Sequence, residues 1–121
     1  MNCFELRNAA TGTVVARRVA RPQGWFHRTW GLLGRKALSV AEGLWLPRCW
    51  GIHTVGMHFP IDVLFLDEEL RVLSVRANVQ SGRFAVAHIK AHHVIELAAG
   101  TCARFDLLAG DTMALSEATS Q

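Results

Sequence analysis

The stretch Ile61–Ala77, IDVLFLDEELRVLSVRA, decides the fold. After Asp62 its first half is apolar on both alternations, the pattern of a strand covered on both faces. DEE at 67–69 turns the chain, and LRVLSVRA (70–77) returns beside the first half, so the segment predicts an antiparallel hairpin. Pro60 resets the backbone just before the strand begins. Upstream, GLWLP (43–47) is a short strand stopped by Pro47. Downstream, HHVIELAAG (92–100) is a further strand ended by Gly100, TCARFDLLAGD (101–111) makes a helical turn or loop, and TMALS (112–116) closes the sheet.

The N-terminal residues 2–7 and 12–18 pair as a hairpin, with NAATG (8–12) supplying the turn and Thr13, Val14 and Val15 favouring strand. From Trp25 to Leu38 the spacing predicts a helix: Phe26, Trp30, Leu33 and Ala37 recur at i, i+4, i+7 and i+11. Gly31 and Gly34 each weaken it by up to ~1 kcal/mol relative to alanine, so it is short or ends near Gly34. About six strands with one or two short helices, joined by short turns, predict an α+β, mostly β domain. Its architecture is a curled antiparallel sheet or barrel-like domain.

The chain has 121 residues, half of them hydrophobic and 19% charged, which suits one globular domain over residues 1–121 with a loose tail at 117–121. No secretory signal is visible at the N-terminus. The longest stretch without Asp, Glu, Lys or Arg is Cys49–Ile61, 13 residues, too short for a helical membrane span of about 20. Three cysteines with no CxxC spacing argue against a disulfide framework or zinc knuckle and for reduced thiols in the cytoplasm. The net charge of +3 divides into +6 for residues 1–48 and −3 for the rest, so a basic front half could attract an anionic partner. No RNP, KH or helix-turn-helix signature is present, which disfavours nucleic acid.

Chemistry-bearing residues crowd into the segment ahead of the central strand. Cys49, His53 and His58 have spacings that would share a face on a helix, but Gly51, Gly56 and Pro60 argue against a helix there, so the spacing supports no metal site. His92 and His93 are adjacent on a strand and point to opposite faces. Cys49 beside Arg48 has a cation that would favour thiolate, but a buried, small apolar cysteine is the better reading. Asp62 shares a strand face with Leu64 and Leu66, and Glu96 shares one with Val94 and Ala98. A carboxylate so placed must be paired, hydrogen-bonded or protonated. If both face one cleft they can act as acid and base or anchor a polar ligand; otherwise each takes loop N–H groups or an arginine such as Arg48. Trp50, beside this polar loop, is a candidate ligand wall, whereas Trp25 and Trp30 carry helical periodicity and default to core packing.

Four pieces now stand in order: GLLGR (31–35), W-x3-T-x5-PIDVLFLD (50–67), VIELAAG (94–100) and LAGD (108–111). In this arrangement, from about Gly31 to Met113, the chain resembles domain of unknown function family 192, small bacterial and archaeal proteins. The resemblance implies a compact, mostly β, barrel-like domain with a helix packed on one side, and no particular reaction. It marks Trp50, His53, Thr54, Pro60, Asp62 and Glu96 as signature positions. Two departures matter: His58 stands where the family often has arginine, which removes a permanent cation, and Ala98 stands where it often has proline.

Three readings of function follow. The first is a binding module, with no cofactor and no metal, whose polar pocket at the 50–62 loop takes a small polar or anionic ligand or a peptide. In it Trp50, His53, Thr54, His58, Asp62 and Glu96 contact the ligand: Asp62 anchors a donor group, His53 and Thr54 orient it, and His58 tunes it near neutral pH. The second is an acid–base hydrolase using Asp62 with His53, which requires the two within hydrogen-bond reach. The third is a protein-interaction module, marked by an exposed apolar patch next to Arg17, Arg18 and Arg21.

Overall fold

The computed structural model describes residues 2–22, 37–83 and 85–118. Residues 25–36 of the helix expected over Trp25–Leu38, and with them the piece GLLGR, lie outside the described residues, while Ala37 and Leu38 are not helical. Among the described residues the chain forms β1 (Asn2–Asn8), β2 (Val14–Arg21), β3 (Glu42–Pro47), β4 (Gly51–Ile52), β5 (Ile61–Leu66), β6 (Val72–Val79), β7 (Val86–Ala87), β8 (His93–Ala98), the single turn of helix α1 (Thr101–Arg104) and β9 (Met113–Glu117).

Seven strands make one sheet in the order β6-β5-β8-β3-β2-β1-β9, and β4 pairs with β7 as a separate two-stranded sheet. The β1–β2 and β5–β6 hairpins form as their sequences predict. The sheet is not wholly antiparallel. β2 and β3 run parallel, with Arg18 opposite Glu42 and Ala20 opposite Leu44. A parallel pair needs a crossover of a dozen or more residues, and the segment between Arg21 and Glu42 supplies it, where short turns alone could not.

The sheet curls, but it is not the closed barrel the pattern allowed. Among the described residues its two edges are joined where Arg71 bridges Thr112, with the Val72 N–H donating to the Asp111 carbonyl and the Met113 N–H to the Leu70 carbonyl. Beyond this clasp no paired register joins β6 and β9 among the described residues.

Every residue of β5 is buried, because both faces of the sheet are covered. Leu64 and Leu66 project to the inside of the curl with Leu6, Val19, Ile95 and Leu97, and α1 and β9 add Cys102 and Met113. Val63 and Phe65 project to the other face with Leu44, Leu46 and Val94, which is roofed by Met57, Val86 and Ala91 from the β4/β7 region and its loops. Burying each such aliphatic or aromatic side chain contributes roughly 1.5–3 kcal/mol. Gly43 lets β3 lie close to β8, since a Cβ there would stand 2.8 Å from the Glu96 carbonyl oxygen and 2.9 Å from Leu97.

Candidate functional site

Strand register separates the two carboxylates that the sequence brought together. Asp62 pairs with Leu97, and Val63 with Glu96, in an unbroken β5–β8 ladder. Neighbouring residues of a strand project oppositely, so Asp62 faces the inside of the curl and Glu96 faces the roofed side. No single cleft holds both.

Asp62 is wholly buried and its carboxylate is fully engaged. Oδ1 accepts the Asn78 N–H at 2.8 Å, and Oδ2 accepts the Cys102 N–H at 2.9 Å. Both donors need it. Between Ile61–Val79 and Val63–Arg76 the β5–β6 register slips, and in this bulge Asn78 takes φ 53°, a left-handed conformation that asparagine tolerates. The N–H that the bulge turns out of the ladder is the one Asp62 accepts. Cys102 lies in the first turn of α1, whose N-cap Gly100 has no side chain to offer, and Asp62 caps that turn from across the sheet. Burial pushes the Cys102 thiol up to about 12, with the Asp62 charge and hydrogen bond adding to it, so this thiol stays protonated and inert.

Thr54 is likewise buried and committed to the fold. Its hydroxyl donates to the Gln80 carbonyl at 2.8 Å and accepts the Arg83 N–H at 2.9 Å, while its own N–H donates to the Arg83 carbonyl. These bonds tie the loop after β4 to the turn after β6. His53 and His58 are exposed on that loop, and Trp50 is 58% exposed. No hydrogen bond joins Asp62 to a histidine among the described residues, so the contact required of an acid–base pair is not made. Cys49 is half-buried and its thiol donates to the Gly51 carbonyl at 3.1 Å.

Glu96 is different. It is only 5% exposed and stands between Leu44 and Val63 of the flanking strands, with Val94 and Ala98 two residues along on the same face. Among the described residues no hydrogen bond or ion pair reaches its carboxyl group. No side-chain nitrogen or oxygen sealed from solvent is left without a partner among those residues, so the residual exposure of Glu96 includes its carboxyl end. Burial alone raises its pKa to about 8. The group is therefore mostly protonated at neutral pH and can donate as well as accept.

A second cluster escaped the sequence reading. The Trp45 indole N–H donates to His93 Nδ1 at 3.1 Å, Phe4 meets Trp45 edge-on at 5.0 Å between centroids, and the Arg21 guanidinium lies 5.0 Å from the Trp45 ring. Burial first, then His92 and Arg21, lowers the His93 pKa, which keeps Nδ1 free to accept. His92, just ahead of β8, instead meets Glu68 at 3.1 Å. The only signal in the sequence was aromatic residues on separate strands, whose adjacency follows from the sheet order.

The described residues contain no group of three or more His, Cys, Asp or Glu able to hold a metal ion. None of their helices is long and apolar enough to cross a membrane. The exposed large hydrophobic residues among them are Val40, Trp50, Val55, Ile89 and Leu108. None lies on β2 itself, and Val40 adjoins Ala41, whose carbonyl accepts the Arg18 N–H.

Comparison with known proteins agrees with this fold. The family model for DUF192, "Uncharacterized ACR", matches residues 6–115, which extends the resemblance back into β1. A "putative transcription regulator" from Sinorhizobium meliloti 1021 superposes with a TM-score of 0.81 at 20% identity, over 94% of this chain and 92% of that one. A protein of unknown function from Novosphingobium aromaticivorans DSM 12444 gives 0.75 at 20% identity, over 93% of this chain and 83% of that one. At this identity the likeness speaks for the fold. No curated protein matches the chain.

Proposed function

We propose that this chain, which belongs to the DUF192 family, is a binding module that takes a small organic ligand on the Glu96 face of its sheet, beside the Trp50–Pro60 loop. One observation carries the reading: Glu96 keeps a carboxyl group in apolar surroundings with no partner from the described residues. Burial keeps the group mostly protonated at neutral pH, and its residual exposure leaves its carboxyl end open to a partner from solution. A ligand that hydrogen-bonds it there does so beside apolar neighbours, which makes the group a source of affinity.

The other candidate residues divide by role. Trp50, His53 and His58, exposed on the loop, form the rim and meet the part of the ligand that remains outside. Thr54 and Asp62 hold loop and strand in register and do not touch the ligand. The anchoring role that Asp62 would have had falls to Glu96.

A thermal-shift screen tests this reading, run on wild type and Glu96→Gln at pH 6 and pH 8. The compounds are divalent metals, nucleotides, sugars, phosphates, amino acids and amines. The expected result is at least one compound that raises the wild-type Tm with concentration, as mass action requires, and raises that of the variant much less. Equal shifts in both proteins, or none in either, would refute it.

A further inference from the structure

We infer that the solvent side of the β4/β7 ribbon and its loops is a docking surface for an anionic lipid bilayer, entered by Trp50, Val55 and Ile89 and held by Arg48, Arg83 and Lys90. This goes beyond the ligand reading and makes no use of Glu96. Residues 48–60 and 80–91, which supply the ribbon and its loops, contain these three cations and no Asp or Glu. The remaining ten bases of the chain are matched by its ten acids, so the two segments carry the whole net charge of +3. A surface with one sign of charge gathers partners of the other. All six named side chains are exposed.

Backbone hydrogen bonds gather the six at the two ends of the ribbon. At one end the His88 N–H donates to the Trp50 carbonyl at 2.9 Å, and the Cys49 N–H to the His92 carbonyl at 3.1 Å. The Ala91 N–H closes a turn on the His88 carbonyl, which makes Ile89 and Lys90 its central residues, beside Trp50 and Arg48. At the other end the Thr54 N–H donates to the Arg83 carbonyl, and the Met57 N–H closes a turn on the Thr54 carbonyl with Val55 in it. Between the ends Ile52 and Val86 are paired and pack into the core beneath, so the opposite side of the ribbon carries the small Gly51 and Ala87 and is flat. The acidic turn at 67–69 borders this face, where Glu68 lies 3.1 Å from His92.

The exposed apolar groups favour a bilayer over a charged polymer. Ile89 is 83% exposed at the tip of its turn, and Trp50 is 58% exposed. Trp50 could stack on a nucleic-acid base, but Val55 and Ile89 have no ring to stack. A protein partner needs a pocket shaped to receive them, whereas the headgroup boundary yields to whatever enters it. Tryptophan and aliphatic side chains set among cations suit that boundary, and each cation near anionic headgroups strengthens the attraction.

Sedimentation of the whole chain with sucrose-loaded vesicles tests this at neutral pH. The vesicles are phosphatidylcholine, alone or mixed with phosphatidylglycerol, at low and high salt. Wild type is expected to sediment with the mixed vesicles at low salt, to be released at high salt, and to stay in solution with phosphatidylcholine alone. Arg48→Ser combined with Lys90→Ser should weaken binding on the order of twentyfold, about fivefold for each cation lost. Ile89→Ser keeps the charge and should also weaken binding, which separates apolar entry from charge alone. All these changes fall at exposed positions, where substitutions alter stability little. No binding to the mixed vesicles, binding indifferent to salt or lipid charge, or variants that bind as wild type does would overturn the inference. So would tighter binding to a poly-dT oligonucleotide or to polyglutamate than to the vesicles, since the partner would then be an acidic polymer. Ile89 and Lys90 take no part in the Glu96 site, so vesicle binding and the thermal-shift screen succeed or fail separately.

Discussion

Glu96→Gln should make the protein more stable at alkaline pH and leave it almost unchanged at pH 4. In the folded protein the Glu96 carboxyl titrates near 8, against 4.5 for a free side chain. The folded state therefore holds a proton that the unfolded state releases between these values, and stability falls as pH rises through that window. The loss is complete above about pH 8 and is on the order of a few kcal/mol. A glutamine amide occupies nearly the same volume and cannot ionise, so the variant escapes it. For a chain of this length the gain corresponds to a Tm higher by roughly 10 °C at pH 9. His93 acts in the opposite sense: its lowered pKa removes stability as pH falls below 6.5, in both proteins alike. The difference between variant and wild type therefore isolates Glu96. Thermal melts from pH 4 to pH 9 would show the two curves diverging upward from about pH 5; parallel curves would mean that the carboxyl is solvated or paired. A residue that weakens the fold at alkaline pH is easier to understand as a binding group than as a structural one.

Asp62→Ala should have the largest destabilising effect of any single change at the candidate residues. It removes two hydrogen bonds to a buried carboxylate and strands the Asn78 and Cys102 N–H groups away from water. Bonds to a charged group contribute about 1.5–3 kcal/mol each, so a loss of ~3–5 kcal/mol is expected. Asp62→Asn keeps one acceptor but turns its amide N–H₂ toward a backbone donor, and should fall between. Urea denaturation at pH 7 checks both variants. A near-wild-type Asp62→Ala would contradict the structural role and return this carboxylate to the ligand site.

How far the sequence could be read depended on the range of the interaction. The β5–β6 hairpin was legible because the apolar run, the acidic turn and the returning strand lie within seventeen contiguous residues, 61–77. β4 and β7, two residues each, carry no periodicity and were visible only once folded. The parallel β2–β3 pair and the placing of β8 between β5 and β3 are set by contacts distant in sequence, and no local pattern encodes them. The same limit governs the site. That Asp62 and Glu96 would be buried followed from their apolar neighbours. That they stand on opposite faces follows from Val63 pairing with Glu96, and that Asp62 is satisfied depends on a bulge and a helix turn remote in sequence. Of two acids that looked alike on their strands, one has every partner it needs and the other has none among the described residues.

The most direct measurement is a carbon-13 NMR titration of the Glu96 side-chain carboxyl, assigned by comparison with Glu96→Gln. A midpoint near 8, moving when a saturating concentration of a compound found by the thermal-shift screen is added, is the predicted result. A midpoint near 4.5 that no probe moves would mean that the carboxyl is neither buried nor available to a ligand, and the binding reading would fall with it.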